Sequence, residues 1–329
     1  MRENIALTAF TEPGRALAAK LAEALGGSVR GADQPLADWT RESFETCASL
    51  VFVGAAGIAV RSVAPYLQGK AADPAVLCLD ERGRYVIPLL SGHLGGANAL
   101  ARRIAALTGG VAVITTATDL NGRFAVDLWA KRQDMALLQP ERIKSVSAKL
   151  LRGETVTVDC PEMIAGTPPE LVRLGRDADV VVSYRAREGG ALQLAPRVLT
   201  LGVGCRRGIS AGALETAFRA FCAERGVVPE AVERAASIDL KRDEAGLLSF
   251  CEAHGWPLRF YSAEELRASP RAYSASAFVE SVTGVDNVCE RAAVLCANGS
   301  LIEKKFACGG VTFALAARQR DYDWSWQDG

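Results

Sequence analysis

Only two histidines occur in the 329 residues, His93 and His254, and there is no CxxC pair anywhere, so no zinc ribbon is suggested. The nine cysteines are odd in number and do not form a paired framework; they read as reduced thiols, mostly in apolar cores. Long apolar runs are also missing. The longest, residues 50–60, has 11 residues and contains two glycines, well below the roughly 18 to 20 needed to span a bilayer, so an integral membrane protein is not expected. Behind Arg2 and Glu3 stands only a short strand-like run over 5–10, without an apolar segment or cleavage site, so export is not expected either and the cytoplasm is the expected compartment. Charge of one sign is not in excess: 38 Lys+Arg balance 38 Asp+Glu, so no overall basic field favours nucleic acid or a membrane surface, and any anion site must be local. No GxxxxGK[ST] occurs, which weakens a nucleotide-dependent reading.

What is present suits a globular chain: 49% hydrophobic residues, 23% charged and 31 glycines, over a length that favours about two domains. Short β-branched runs alternate with helical periods. The fold class read from this is α/β: two α/β domains with largely parallel or mixed sheets, joined by a small middle module. The boundaries expected are 1–125 for the first domain, 126–196 for the middle module, 197–320 for the second domain and 321–329 for a frayed tail without apolar period. Strands are expected over 76–79 and 85–90, separated by Asp80-Glu81-Arg82-Gly83, short enough for a hairpin that would insert an antiparallel pair. Helices are expected over 13–25, 59–67, 95–108, 143–151, 211–225, 244–254 and 287–296.

The densest stretch is SGHLGGAN, between an expected strand and an expected helix. Ser91, Gly92, Gly95, Gly96 and Asn98 surround His93; the glycines allow close backbone approach, the helix start offers N–H groups to an anion, and His93 titrates near neutrality. The loop could equally be a plain tight turn with His93 as a cap, but function is the reading preferred. Gly54 and Gly57 follow a strand in the same order, and Thr115 and Thr116 end another with Asp119 behind them; these loops could converge on one crevice, with Asp119 orienting His93 or activating water, while close packing of helix on sheet at the glycines and an N-cap or turn role for Asp119 stand equally open. His254, just before Gly255 at a helix end, reads as structural.

In the second half, GVGCRRG carries Gly204, Arg206 and Arg207. Its GxGxxxG spacing, with Asp239 coming 37 residues after Gly202, disfavours a dinucleotide site, whereas paired arginines suit a ligand with several carboxylates or, equally, are two solvated surface residues. Lys241, Glu290 and Lys304 could extend such a site, although each is of a type usually just solvated.

Taken together, FVGAAGIAVRSVAPYL, LLSGHLGGANALARRIA, VITTATD, LGVGCRRG and TGVDNVCERAAVLCANGSLIEKK resemble the cobalt-precorrin-5A hydrolase family of anaerobic cobalamin biosynthesis over nearly the whole chain. The second half alone is similar to a stand-alone relative of the aerobic route, so the SGHLGGAN segment matters for the assignment. The resemblance implies an enzyme that opens the ring A lactone of its substrate and releases the methylated bridging carbon as acetaldehyde, giving cobalt-precorrin-5B. It implies a cobalt-corrinoid substrate rich in carboxylates, no cofactor of the protein's own because the cobalt travels with the substrate, and other cobalamin-pathway enzymes as partners. The oligomeric state is left open, a homodimer included. His93 as base and the N–H groups of Gly95 and Gly96 as oxyanion donors follow from residue type and loop position, not from the family. The alternative is a non-catalytic carrier of corrinoid intermediates using the same loops.

Overall fold

The computed structural model describes residues 4–69, 72–93, 95–116, 122–268 and 274–326. They fall into two compact units, Met1–Lys131 with Ile143–Glu154 and Trp326–Gly329, and Arg132–Arg142 with Thr155–Ser325. The stretch 126–196 is divided between these units.

The first unit is built on a six-stranded sheet of order β2-β1-β3-β4-β5-β6, with the two-residue β2 (Ser28–Val29) at one edge. Strands β1 (Ile5–Ala9), β3 (Ser49–Val53) and β4 (Ala75–Leu79) are parallel neighbours rich in Leu and Val, as expected of strands covered on both faces. Helices α1 (Glu12–Leu25) and α4 (Ala97–Thr108) lie over one face, where Ala18, Leu21, Ala101 and Ile104 meet Leu7, Val51 and Leu77. Helices α2 (Leu36–Thr46) and α3 (Ala56–Val63) cover the other with Trp39, Phe44, Ala59 and Val63; Trp39 meets Phe52 edge-on at 5.5 Å. The start of α1 is set by Thr11, whose hydroxyl accepts the Gly14 N–H, and its end by Gly26 in the left-handed region at φ +70°.

The hairpin expected at 80–83 forms. Asp80 accepts the N–H groups of Arg82 (2.9 Å) and Tyr85 (2.8 Å), and Gly83 takes φ +68°. Strand β5 (Tyr85–Leu90) therefore runs antiparallel to β4, with Val76 opposite Leu90 and Leu79 opposite Val86, and β6 (Val111–Ala112) runs parallel to β5. The chain leaving β5 thus emerges at the edge where β3 and β4 begin.

The second unit holds two five-stranded sheets. One has the order β10-β8-β11-β12-β7 and comprises β7 (Met135–Leu137), β8 (Val156–Asp159), β10 (Val172–Leu174), β11 (Val180–Val182) and β12 (Leu192–Pro196). The other, β15-β14-β13-β17-β16, centres on β13 (Leu199–Cys205), parallel to β14 (Val232–Ile238) and antiparallel to β17 (Val311–Ala317), with β15 (Leu258–Tyr261) and β16 (Ser300–Cys308) at its edges. Leu199, Leu201 and Val203 alternate toward helices α7 (Ala211–Arg225) and α8 (Ala245–Ala253), packing on Phe218, Phe221 and Phe250. Beyond the short helices α9 (Ala263–Arg267) and α10 (Ala277–Thr283), helix α11 (Cys289–Ala297) covers the opposite face, where Gly202 meets it so closely that a Cβ there would lie 1.8 Å from the Cys289 carbonyl oxygen.

The tail does not fray as far as Trp326. Strand β18 (Tyr322–Asp323) pairs with β9 (Ile164–Ala165), Tyr322 and Trp324 are buried, and the Gln133 amide donates to Asp323 at 3.0 Å. Two large rings anchor it, although they follow no apolar period.

His254 is the C-cap residue of α8, stacked on Trp256 at 4.1 Å and edge-on to Phe218 and Phe250, with Nε2 2.7 Å from Glu215. Partial burial pushes the Glu215 carboxyl up, but hydrogen bonds from His254 and Arg219 outweigh it and hold the group below its ordinary 4.5. A carboxyl depressed on folding stabilises fully above its unfolded value, and that stabilisation is lost as pH falls through the folded value. Glu215→Gln should therefore lower the melting temperature at pH 7, and its gap from the wild type should close as the pH is taken below about 4.5. A gap constant from pH 7 to pH 3 in calorimetry would contradict this.

Candidate active site

The loop joining β5 to α4 is held by unusual backbone. Ser91 is left-handed at φ +55°, and its hydroxyl donates to the Asp73 carbonyl at 2.9 Å. Gly95 has no room for a side chain: a Cβ would sit 2.3 Å from Ser91 Cβ and 2.8 Å from Ser91 O. Gly96, at φ +84°, occupies the N-cap of α4. The loop then uses the helix-start amides on itself: Gly96 N–H donates to His93 O (2.9 Å), Ala97 N–H to Ser91 O (3.2 Å) and Asn98 N–H to Gly92 O (3.0 Å). The anion expected at this helix start would find those donors already engaged, Gly96 among them. Among the described residues the Gly95 N–H donates to no acceptor.

His93 is mostly buried, and its Nδ1 lies 3.2 Å from Asp127 Oδ2, the two side chains being 14% and 10% exposed. Asp127 stands in the first turn of α5 (Val126–Arg132), where its other oxygen accepts the Leu128 N–H at 3.0 Å. A carboxylate at a helix N-terminus is favoured by the helix dipole, and here it faces an imidazole. The pairing fixes the ring: with Nδ1–H donated to Asp127, the basic lone pair of neutral His93 is on Nε2. Asp127 thus stands where the sequence pointed to Asp119, which lies outside the described residues. A readable signal existed, because in FAVDLWA the aspartate is the only polar residue and a carboxylate among apolar neighbours is seldom buried without a partner. Asn98, also buried, packs its amide against Gly92 and donates from Nδ2 to Thr116 Oγ1 at 3.0 Å, which brings the Thr115-Thr116 segment to this loop.

Gly54 and Gly57 do not join them. Gly54 N–H donates to Leu79 O at 2.8 Å, at the end of β4 far from the Ser91 loop, and a Cβ on Gly54 would strike the Phe10 ring at 2.7 Å. The five residues of β4 separate the two loops by roughly 15 Å. The reversal at 80–83 is the cause, since it sends the β3 loop and the β5 loop to opposite edges.

In the second unit the glycine turn after β13 is closed by the protein's own carboxylate. Glu244 Oε1 accepts the Gly208 N–H at 2.9 Å, and Oε2 takes Lys241 Nζ at 3.3 Å, both side chains being largely buried. Lys241 is therefore engaged internally. Arg206 lies along Gly310, its N–H donating to Gly310 O at 3.0 Å, and Arg207 extends into solvent beside Asp243 at 3.5 Å. Gly204 passes tightly by Thr312, whose hydroxyl donates to its carbonyl at 3.2 Å. Glu290 is fully buried and accepts from Ser274 N–H (2.9 Å), Ser274 hydroxyl (2.8 Å) and Lys305 N–H (2.6 Å), an anchor between segments and not a surface ligand. Lys304 is exposed on edge strand β16.

Residues 38–119 match the family described as cobalamin synthesis G N-terminal, and residues 199–316 match cobalamin synthesis G C-terminus. A cobalt-precorrin-5A hydrolase of Salmonella typhimurium is 35% identical over 95% of this chain and 97% of its own length. One from Priestia megaterium is 34% identical over 83% of this chain and 79% of its own. The crystal structure of a cobalamin biosynthesis protein G homologue from Sulfolobus solfataricus, 21% identical, spans 96% of this chain and 98% of its own with a TM-score of 0.41. With a relative more than one-third identical along nearly its whole length, the chain belongs to the cobalamin synthesis G family.

Proposed function

We propose that the protein is a cobalt-precorrin-5A hydrolase, which opens the ring A lactone and releases acetaldehyde. The observation that carries the catalytic part is the His93–Asp127 pair, buried at a strand-to-helix loop in a chain with these relatives. Water attacking the lactone carbonyl gives its proton to His93 Nε2, while Asp127 stabilises the imidazolium and holds the ring's orientation. The carbonyl oxygen, now negative, accepts from the Gly95 N–H. Collapse re-forms the carbonyl as a carboxylic acid, which gives its proton to solvent and becomes a carboxylate, and expels the alkoxide on the methylated bridging carbon. That alkoxide becomes the aldehyde carbonyl as its bond to the macrocycle breaks, and the conjugated ring takes up the electron pair.

The cobalt enters and leaves as cargo of the substrate. Asn98 and Thr116, joined by a 3.0 Å hydrogen bond, brace the loop beside the base. In a pathway of soluble intermediates the cytoplasm is its place of work; no helix among the described residues is long and apolar enough to cross a membrane.

The test is anaerobic incubation of the purified protein with cobalt-precorrin-5A, following acetaldehyde through alcohol dehydrogenase and NADH, and the tetrapyrrole by mass. Acetaldehyde in step with cobalt-precorrin-5B is the expected result. Tight binding without acetaldehyde would establish the carrier instead.

A further inference from the structure

Helix α5 turns a second charged residue toward the loop. Lys131 follows Asp127 by four residues, one helical turn, so both lie on the same face. Its Nζ lies 3.6 Å from the position a Cβ would take on Gly96, which places an ammonium against the backbone of the turn that carries His93. The amides of Gly96, Ala97 and Asn98 are engaged by the loop's own carbonyls, and the carboxylate beneath His93 adds negative charge where more must develop.

We infer that Lys131 is a catalytic residue of this site, its ammonium stabilising the oxyanion formed at the lactone carbonyl and then the carboxylate that lactone opening leaves behind. The inference rests on the hydrolase reading. In the step concerned, the water oxygen bonds to the carbonyl carbon, the water proton moves to His93 Nε2, and the π electrons of the carbonyl move to its oxygen. That oxygen then lies between the Gly95 N–H and the Lys131 ammonium. Lys131 stays protonated throughout, and no oxidant or reductant is involved. The same face of one short helix would thereby hold both the residue that orients the base and the cation that receives the charge the base's action creates.

Lys131→Met, Lys131→Arg and wild type are compared for acetaldehyde release from cobalt-precorrin-5A, with and without added ethylammonium. The expected result is a fall in kcat of about 100-fold or more for Lys131→Met with a smaller change in KM, partial recovery in Lys131→Arg, and rescue of Lys131→Met, but not His93→Ala, by ethylammonium. Wild type that turns over, with Lys131→Met within twofold of it, overturns the role of Lys131 and leaves the hydrolase reading standing. A loss that neither arginine nor ethylammonium restores, accompanied by a lower melting temperature, assigns Lys131 to structure and also overturns it. Wild type that releases no acetaldehyde overturns the hydrolase reading, and the role of Lys131 with it.

Discussion

His93→Ala should lower the rate of acetaldehyde release by about 10² to 10⁴-fold while the protein remains folded, the range that a positioned general base contributes. Folding should survive because the ring comes from a loop and Asp127 keeps one of its bonds, Oδ1 to the Leu128 N–H. The second carboxylate oxygen loses its partner at a site only 10% exposed, a cost of about 1 to 3 kcal/mol. Asp127→Asn keeps the shape of that contact but removes the charge that stabilises the imidazolium, and an asparagine can present its NH₂ to Nδ1 and so favour the wrong tautomer. It too should reduce kcat, with less change in KM. The two residues act as one unit, so the double variant should be scarcely slower than His93→Ala alone. Kinetics of the four proteins on cobalt-precorrin-5A decide the matter. Single losses that simply multiply in the double variant would mean that the 3.2 Å contact is not used in catalysis.

Gly202→Ala should be the most destabilising small substitution in the second unit. The added carbon would lie 1.8 Å from the Cys289 carbonyl oxygen, 2.7 Å from its carbon and 2.9 Å from Ala293 Cβ. All three belong to α11 and two are backbone atoms, so no side-chain rotation can relieve the overlap. Either the helix withdraws from the sheet or β13 bends. Withdrawal loosens Ala292 against Ala236 and Ile238, Ala293 against Ala316, and the three-donor clasp on Glu290. Overpacking of this kind costs about 3 kcal/mol or more when the obstruction is rigid. Urea denaturation should show a midpoint shift of that size, and a loss under about 1 kcal/mol would mean that α11 is not pinned against Gly202.

Much of the element map is legible because it depends on neighbours in the chain. The hairpin, β5, α6 (Ile143–Leu151), α7 and β15 lie where apolar period, caps and turn residues place them. Helix α5 escapes that kind of reading. Its seven residues bury Val126, Trp129 and Ala130 together with Asp127 and expose only Lys131 and Arg132 at the end, so the segment is too short to set a helical period, and Asp127 is hidden in an apolar run. Helix α2 is likewise absent from the expected elements, although its Trp39 and Phe44 complete one face of the first core.

The site shows the same divide. That His93 sits in a glycine-rich turn between strand and helix is written in eight consecutive residues, as are the family motifs. Its partner is 34 residues away, and the meeting depends on how β5, β6 and α5 are placed. The tight turn at 80–83 was visible, but its consequence, that Gly54 and Gly57 go to one edge of the sheet and His93 to the other, follows only once strand direction is traced through β4. Whether an amide in a glycine loop is open or already engaged is also a tertiary matter, decided at Gly208 by Glu244, 36 residues on. Local sequence determined the α/β class, the principal elements and the candidate base, because conformational preference and apolar period act over a few residues. Tertiary structure decided which groups meet that base and which glycines are only packing, because a hydrogen bond between distant residues depends on the order and direction of every strand between them.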